Sequence, residues 1–149
     1  MEFNELIDDF ATRHGVADLT ATDNAAALDI DGIIVLLVSN GETLTVSAEI
    51  GEPPAEGVAA FANLLLEANM QSDFFFAKAS ETGMGGYFIV RRLALNLLDA
   101  VVFDQVLEAL VNQAETWHRL LADFRPVAKA VAEKSMSAPS FGEGGFMKV

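Results

Sequence analysis

Two dipeptides, Asp31-Gly32 and Asn40-Gly41, constrain this chain more than any other feature. Each sits between apolar runs and favours the left-handed backbone of a two-residue hairpin loop. They predict three consecutive antiparallel strands. Two-residue loops also set the pairing. At the first, Ile30 lies opposite Ile33, Asp29 opposite Ile34 and Leu28 opposite Val35. At the second, Val38 lies opposite Thr43, Leu37 opposite Leu44, Leu36 opposite Thr45 and Val35 opposite Val46. Side chains alternate along a strand, so Leu28, Ile30, Ile33, Val35, Leu37, Leu44, Val46 and Ala48 share one face, which reads as core. The other face carries Ala27, Asp29, Ile34, Leu36, Val38, Thr43, Thr45, Ser47 and Glu49. Water alone gives no reason for Ile34, Leu36 and Val38 in a row there. A middle strand is commonly apolar on both sides, however, and a helix could cover it, so both readings stay open.

The stretch Asp99–Phe124 predicts a long amphipathic helix, because Phe103, Leu107, Leu110, Ala114, Trp117, Leu121 and Phe124 recur at alternating spacings of four and three. Asp99 suits its N-cap and Arg125-Pro126 its end. Roughly 39 Å of helix at about 1.5 Å per residue needs a broad apolar partner, and a sheet supplies one. A first helix places Phe3, Leu6, Ile7 and Phe10 on one side, with Gly15 to stop it. Pro53-Pro54 leads into a second, from about Ala55 to Asn69, that is apolar on nearly all sides and therefore suited to a subunit interface. Phe74-Phe75-Phe76 opens a fourth strand, with Phe75 on the face opposite its neighbours. Gly83-Met84-Gly85-Gly86 turns the chain, and Tyr87–Leu93 makes a fifth strand. The expected fold is α+β, a five-stranded antiparallel sheet with three helices in the order α-β-β-β-α-β-β-α. It forms one domain over residues 1–136, with a short helix over Val127–Lys134. Residues 137–149 read as a flexible Gly/Ser-rich tail, in which Phe141 and Phe146 are out of place.

The net charge of −13 is concentrated in the first half: Met1–Ala77 hold 14 acidic residues against Arg13 alone, whereas Lys78–Val149 hold 8 of each sign. Such a field repels phosphate backbones, so nucleic acid is not an expected partner. A neutral or basic polypeptide is, although solubility alone explains the charge equally well. There is no cysteine, which fits a reducing compartment. The acidic amphipathic start is no signal peptide, and the apolar run Ile33–Val38 is far shorter than the roughly 20 residues of a membrane helix. The expectation is a cytoplasmic protein with no membrane partner.

Candidate chemistry is sparse. His14 and His118 are the only histidines and lack a third ligand at metal spacing. Asp29 and Asp31 could form a carboxylate pair, yet Asp31 is explained by its turn and Asp29 by its strand, so a hydrolase built on Asp29 is the weakest reading. The glycines of residues 83–86 lack the spacing of a phosphate loop. Arg91-Arg92 puts one guanidinium on each face of the fifth strand, as a solvated or salt-bridged pair. No catalytic residue, cofactor or metal is expected.

The element order, together with Asp31-Gly32 before an apolar strand, Leu64-Leu65-Leu66-Glu67-Ala68-Asn69 closing the second helix, and Arg92-Leu93-Ala94-Leu95 running into Leu98-Asp99, resembles the class I chaperones of bacterial type III secretion, the Tir chaperone family. Leu107, Glu108, Val111, Ala114 and Trp117 of the last helix extend the resemblance, which covers about Phe3–Leu121. Ala94 stands where that family often has proline, and the glycine-rich tail is not general to it. The resemblance implies a non-enzymatic, acidic, cytoplasmic bacterial homodimer that holds the N-terminal segment of a secreted effector in extended form. It also implies a dimer contact on Phe61, Leu64, Leu65 and Phe75, and an effector surface on Phe3, Ile7, Ala27, Ile34, Leu36, Val38, Thr43 and Thr45. Because fold does not settle function, a dimeric regulatory or adaptor protein unrelated to secretion is the alternative.

Overall fold

The structure, a computed structural model, describes residues 2–78 and 85–125. Its elements are α1 (Phe3–His14), β1 (Ala25–Ile30), β2 (Ile33–Ser39), β3 (Thr43–Gly51), α2 (Val58–Asn69), β4 (Phe75–Lys78), β5 (Tyr87–Ala94), a single 3₁₀ turn (Leu95–Leu97) and α3 (Ala100–Ala122). The order is the expected one. The strands form one antiparallel sheet in the order β1-β2-β3-β5-β4. The expected helix over Val127–Lys134, the tail from Ser137 to Val149 and the Gly83-Met84 part of the turn before β5 lie outside the described residues.

Local chemistry explains most of the element boundaries. The backbone N–H of Glu2 donates to Glu5 Oε1 at 3.1 Å, half of a reciprocal cap that starts α1. Asp99 Oδ1 accepts from the Val102 N–H at 2.8 Å, the N-cap expected for α3. That helix ends at Ala122, two residues earlier than read, yet Phe124 stays attached because its N–H donates to the Leu121 carbonyl at 3.2 Å. α2 begins at Val58 rather than Ala55, since Gly57 adopts φ +77° and a left-handed residue cannot sit inside a right-handed helix.

Pairing of β1 with β2 follows the expected register, and Asp31 and Gly32 both take positive φ, as their turn type demands. The second hairpin differs. Ser39 pairs with Leu44, Leu37 with Val46 and Val35 with Ala48, two residues away from the two-residue-loop register. Gly41 takes positive φ, but Asn40 does not. Instead, Asn40 Oδ1 accepts from the N–H groups of Glu42 (3.0 Å) and Thr43 (2.7 Å), while Ser39 Oγ accepts from that of Gly41 (3.0 Å). These side-chain bonds hold a longer loop. A slip of two residues preserves the alternation, so each side chain keeps its expected face.

One face of the sheet is covered. Leu28, Val35, Leu37, Leu44, Val46 and Ala48 are buried there, with Ile30 and Ile33 half-buried against them. α3 lies across β3 and touches β2 and β5. α1 joins through Phe10, whose ring meets Phe103 of α3 edge-on at 5.5 Å. Arg13 clamps the two helices together by donating to both carboxylate oxygens of Asp104, at 2.6 and 3.0 Å, and to Asp9 at 2.6 Å. This holds the Asp104 carboxyl below the usual carboxylate range. At the far end, Phe61 of α2 is surrounded by the rings of Tyr87, Trp117 and Phe124 at 5.1 to 6.1 Å. Among the described residues, no helix is long and apolar enough to cross a membrane.

Candidate functional site

The other face of the sheet is where the expected partner surface falls. Cross-strand pairing aligns its side chains in rows. The central row runs Ala27, Leu36, Ser47, Val90 and Phe75. On one side of it lie Asp29, Ile34, Glu49 and Phe88. On the other lie Ala25, Val38, Thr45 and Arg92. Along β2, Ile34, Leu36 and Val38 leave 51%, 41% and 52% of their surface exposed. Three large aliphatic side chains in one line on an uncovered sheet face form an apolar strip bordered by hydroxyls and carboxylates.

The two halves of this face differ. On the β5–β4 side the protein covers itself: Val90 is buried, and the Arg92 guanidinium lies over the Phe75 ring at 5.3 Å. On the β1 side the side chains are small. Ala25 and Ala27 floor a trough of about 370 Å³, walled by Leu36 and Val38 and rimmed by Thr20 and Thr22. The loop before β1 makes that rim because Thr22 and Ala25 exchange backbone hydrogen bonds at 2.8 and 3.0 Å. A trough of this kind accepts an apolar side chain from outside, with backbone and hydroxyl groups at its edge.

The expected contact residues do not all lie here. Ala27, Ile34, Leu36 and Val38 are exposed, and Thr43 and Thr45 are half-buried. Phe3 and Ile7 instead belong to the core, 5% and 0% exposed, because the apolar face of α1 packs inward. The residues expected at a dimer contact divide similarly. Phe61 and Leu65 are buried in their own chain's core, Leu64 is 44% exposed, and Phe75 is half-buried beneath Arg92. The exposed apolar residues of α2 and its C-cap are Val58, Leu64, Leu66 and Met70, the last 88% exposed. Beside it, an apolar groove of about 330 Å³ runs between α2 and β4, lined by Val58, Ala62, Leu66, Phe76 and Tyr87. Burial pushes the Tyr87 hydroxyl pKa upward.

The candidate chemical residues have structural partners. Asp29 Oδ1 accepts from the Gly32 N–H at 2.9 Å, so Asp29 braces the turn, while Asp31 occupies its left-handed position. His118 Nδ1 donates to the Ile50 carbonyl at 3.0 Å, tying α3 to β3. His14 stacks on Phe10 at 4.4 Å and lies 3.2 Å from Asp104. Arg91 sits over Phe74 at 5.6 Å, so each arginine is stacked on an aromatic ring, with Arg92 exposed to solvent as expected. Among the described residues, no group of three His, Asp or Glu is placed to hold a metal ion. Sequence reasoning missed the trough, whose signal was the small-residue run Ala25-Ala26-Ala27.

Comparison with known proteins agrees with this fold. The chain is similar to the crystal structure of the ExsC–ExsE complex, with a TM-score of 0.67 and 23% identity over 79% of this chain and 92% of the other. It is similar to the Yersinia pestis type III secretion chaperone SycH, solved with a stable fragment of YscM2, at a TM-score of 0.63 and 20% identity over 77% and 98%. The HopA1–SchA chaperone–effector complex gives a TM-score of 0.65 and 13% identity over 77% and 91%. At these identities the likeness is one of fold. No curated protein matches the chain. The sequence pattern of one family matches residues 5–118, from α1 to His118 near the end of α3, and the chain belongs to that family, the Tir chaperone protein (CesT) family.

Proposed function

We propose that this protein is a non-enzymatic cytoplasmic chaperone of type III secretion that binds the N-terminal segment of a secreted effector in extended form. The observation that carries the reading is the line Ile34, Leu36 and Val38, exposed on a sheet face that none of the described helices covers. An extended polypeptide buries such a line efficiently, because alternate side chains of a strand point the same way. The acidic surround attracts basic segments and speeds their capture. The structural neighbours solved with bound protein partners support the reading by analogy of fold. A homodimer built on Val58, Leu64, Leu66 and Met70 of α2 and its C-cap completes it, since exposed apolar helix residues in so small a domain find cover in a second copy.

The test is co-purification with the N-terminal segment of a secreted protein encoded beside this chain's gene. Leu36→Glu should lower affinity about tenfold or more while circular dichroism and oligomeric state stay unchanged. Unchanged affinity would remove the outer face from the reading. The absence of a secreted-protein gene nearby would favour an adaptor role instead.

A further inference from the structure

We propose that the trough on the outer sheet face is filled, when no partner occupies it, by the protein's own segment Ser137–Val149. The inference rests on reading that face as a peptide site and adds a built-in competitor for it.

Reach, spacing and charge support this. The described chain ends at Arg125, after which residues 126–149 follow. An extended chain covers about 3.3 Å per residue, so the stretch from Arg125 to Phe146 can span roughly 70 Å. A domain of this size has a radius of gyration of roughly 14 Å, so every point of its surface lies within that reach. The segment carries Phe146, Met147 and Lys148 after Gly144-Gly145, so an aromatic and a cation lie two residues apart.

In a strand, Phe146 and Lys148 project to the same side, about 6.8 Å apart. That distance matches the surface. Ala27, on the floor of the trough, and Asp29, in the next row, are likewise two residues apart on one face of β1. With Phe146 over Ala25 and Ala27, Lys148 meets the Asp29 carboxylate. Asp29 Oδ1 already accepts from the Gly32 N–H, so the cation would be taken by Oδ2. Residues 126–149 contain Lys129, Lys134 and Lys148 against Glu133 and Glu143, so that stretch carries +1 and the remainder is more negative than the whole chain, while within Ser137–Val149 itself Lys148 balances Glu143.

Tethering makes a weak contact sufficient. A short flexible linker gives an effective concentration in the millimolar range, so a contact with a millimolar Kd is substantially occupied. A partner then binds with an apparent Kd raised about 2- to 10-fold, by the fraction of empty sites.

The test uses the full chain with labelled methyl groups and no partner, so it does not depend on which effector, if any, is bound. Phe146→Ser should shift the methyl signals of Ile34, Leu36 and Val38 and leave those of Ile50 and Leu110 in place. In an Ala27→Leu background, which fills the trough, the same substitution should shift nothing. Superimposable spectra with and without Phe146 would overturn the proposal. So would shifts confined to Val58 and Leu66, which would place the segment on α2. Shifts that vanish on dilution would mean a second copy's segment and would overturn the tethered form. Failure of the effector reading leaves these signals unchanged, and their failure leaves Leu36→Glu as an independent test of that reading.

Discussion

Strand β2 offers a comparison within a single element. Val35 and Leu37 are fully buried, whereas Ile34, Leu36 and Val38, of the same residue types, are about half exposed. The strand itself does not distinguish its two faces. Its neighbours do. On the covered side β1 and β3 contribute Leu28, Leu44, Val46 and Ala48, and α3 lies across them; on the open side they contribute Ala27, Asp29, Ser47 and Glu49. An apolar residue is therefore core or contact surface according to what is packed on it. A strand that is apolar on a face whose neighbours are not leaves an exposed apolar line of the kind that marks interaction sites.

The largest expected effect separates the two faces directly. Leu37→Glu places an unpaired carboxylate in a fully buried position, and a cost of several kcal/mol from uncompensated burial should leave little folded protein. Leu36→Glu, one residue away, puts its charge into water and should change unfolding free energy by under about 1 kcal/mol in urea titration. Equal destabilisation by the two would mean that the outer face is also core, and the comparison would collapse.

A second comparison sets the open face of β2 against the open side of α2. Both are apolar, but the trough beside β2 is floored by alanines, whereas the groove beside α2 is lined by larger side chains, Leu66, Phe76 and Tyr87. Leu66→Glu combined with Met70→Glu should weaken self-association at least tenfold in sedimentation velocity and leave peptide affinity of the dissociated chain intact. Leu36→Glu should do the reverse. Loss of both properties in either variant would merge the two surfaces into one.

These contrasts also show what could be read before folding. The faces of the meander were legible because alternation survives a two-residue slip, and Asp31-Gly32 admits few conformations. The register at Asn40 was not legible, since a side chain that bonds to Glu42 and Thr43 outweighs the turn preference of its dipeptide. For α2, Leu64, Leu65 and Leu66 are successive residues about 100° apart around a helix, so composition could not say that only Leu65 turns inward. Phe3 and Ile7 illustrate the same ambiguity. Their stripe fits a groove or a core, and α1 uses it as core by packing against α3. The trough was hidden because alanine carries no apolar signal, and it acts through what it leaves empty.

The smallest expected effect sharpens the contrast between covered and open faces by loosening only the cover. Arg13 and Asp104 join α1 to α3 on the covered side. The Asp104 carboxyl is held below its ordinary range chiefly by the Arg13 hydrogen bonds, with a further contribution from His14, against a partial burial that acts the other way. A carboxylate whose folded pKa is depressed adds stability that is complete above its unfolded pKa, near 4, and is lost as pH falls through the folded value. Asp104→Asn should therefore lower stability at pH 7 slightly, because the pair is surface-placed. Between about pH 5 and pH 2 the wild-type protein should lose stability faster than the variant, so that the two curves converge in acid. The methyl signals of Ile34, Leu36 and Val38 should be the same in both at pH 7, since the clamp lies on the other side of the sheet. Parallel pH–stability curves would show that Arg13 gains nothing from the charge of Asp104 and that the apolar packing of Phe3, Leu6, Ile7 and Phe10 holds α1 in place.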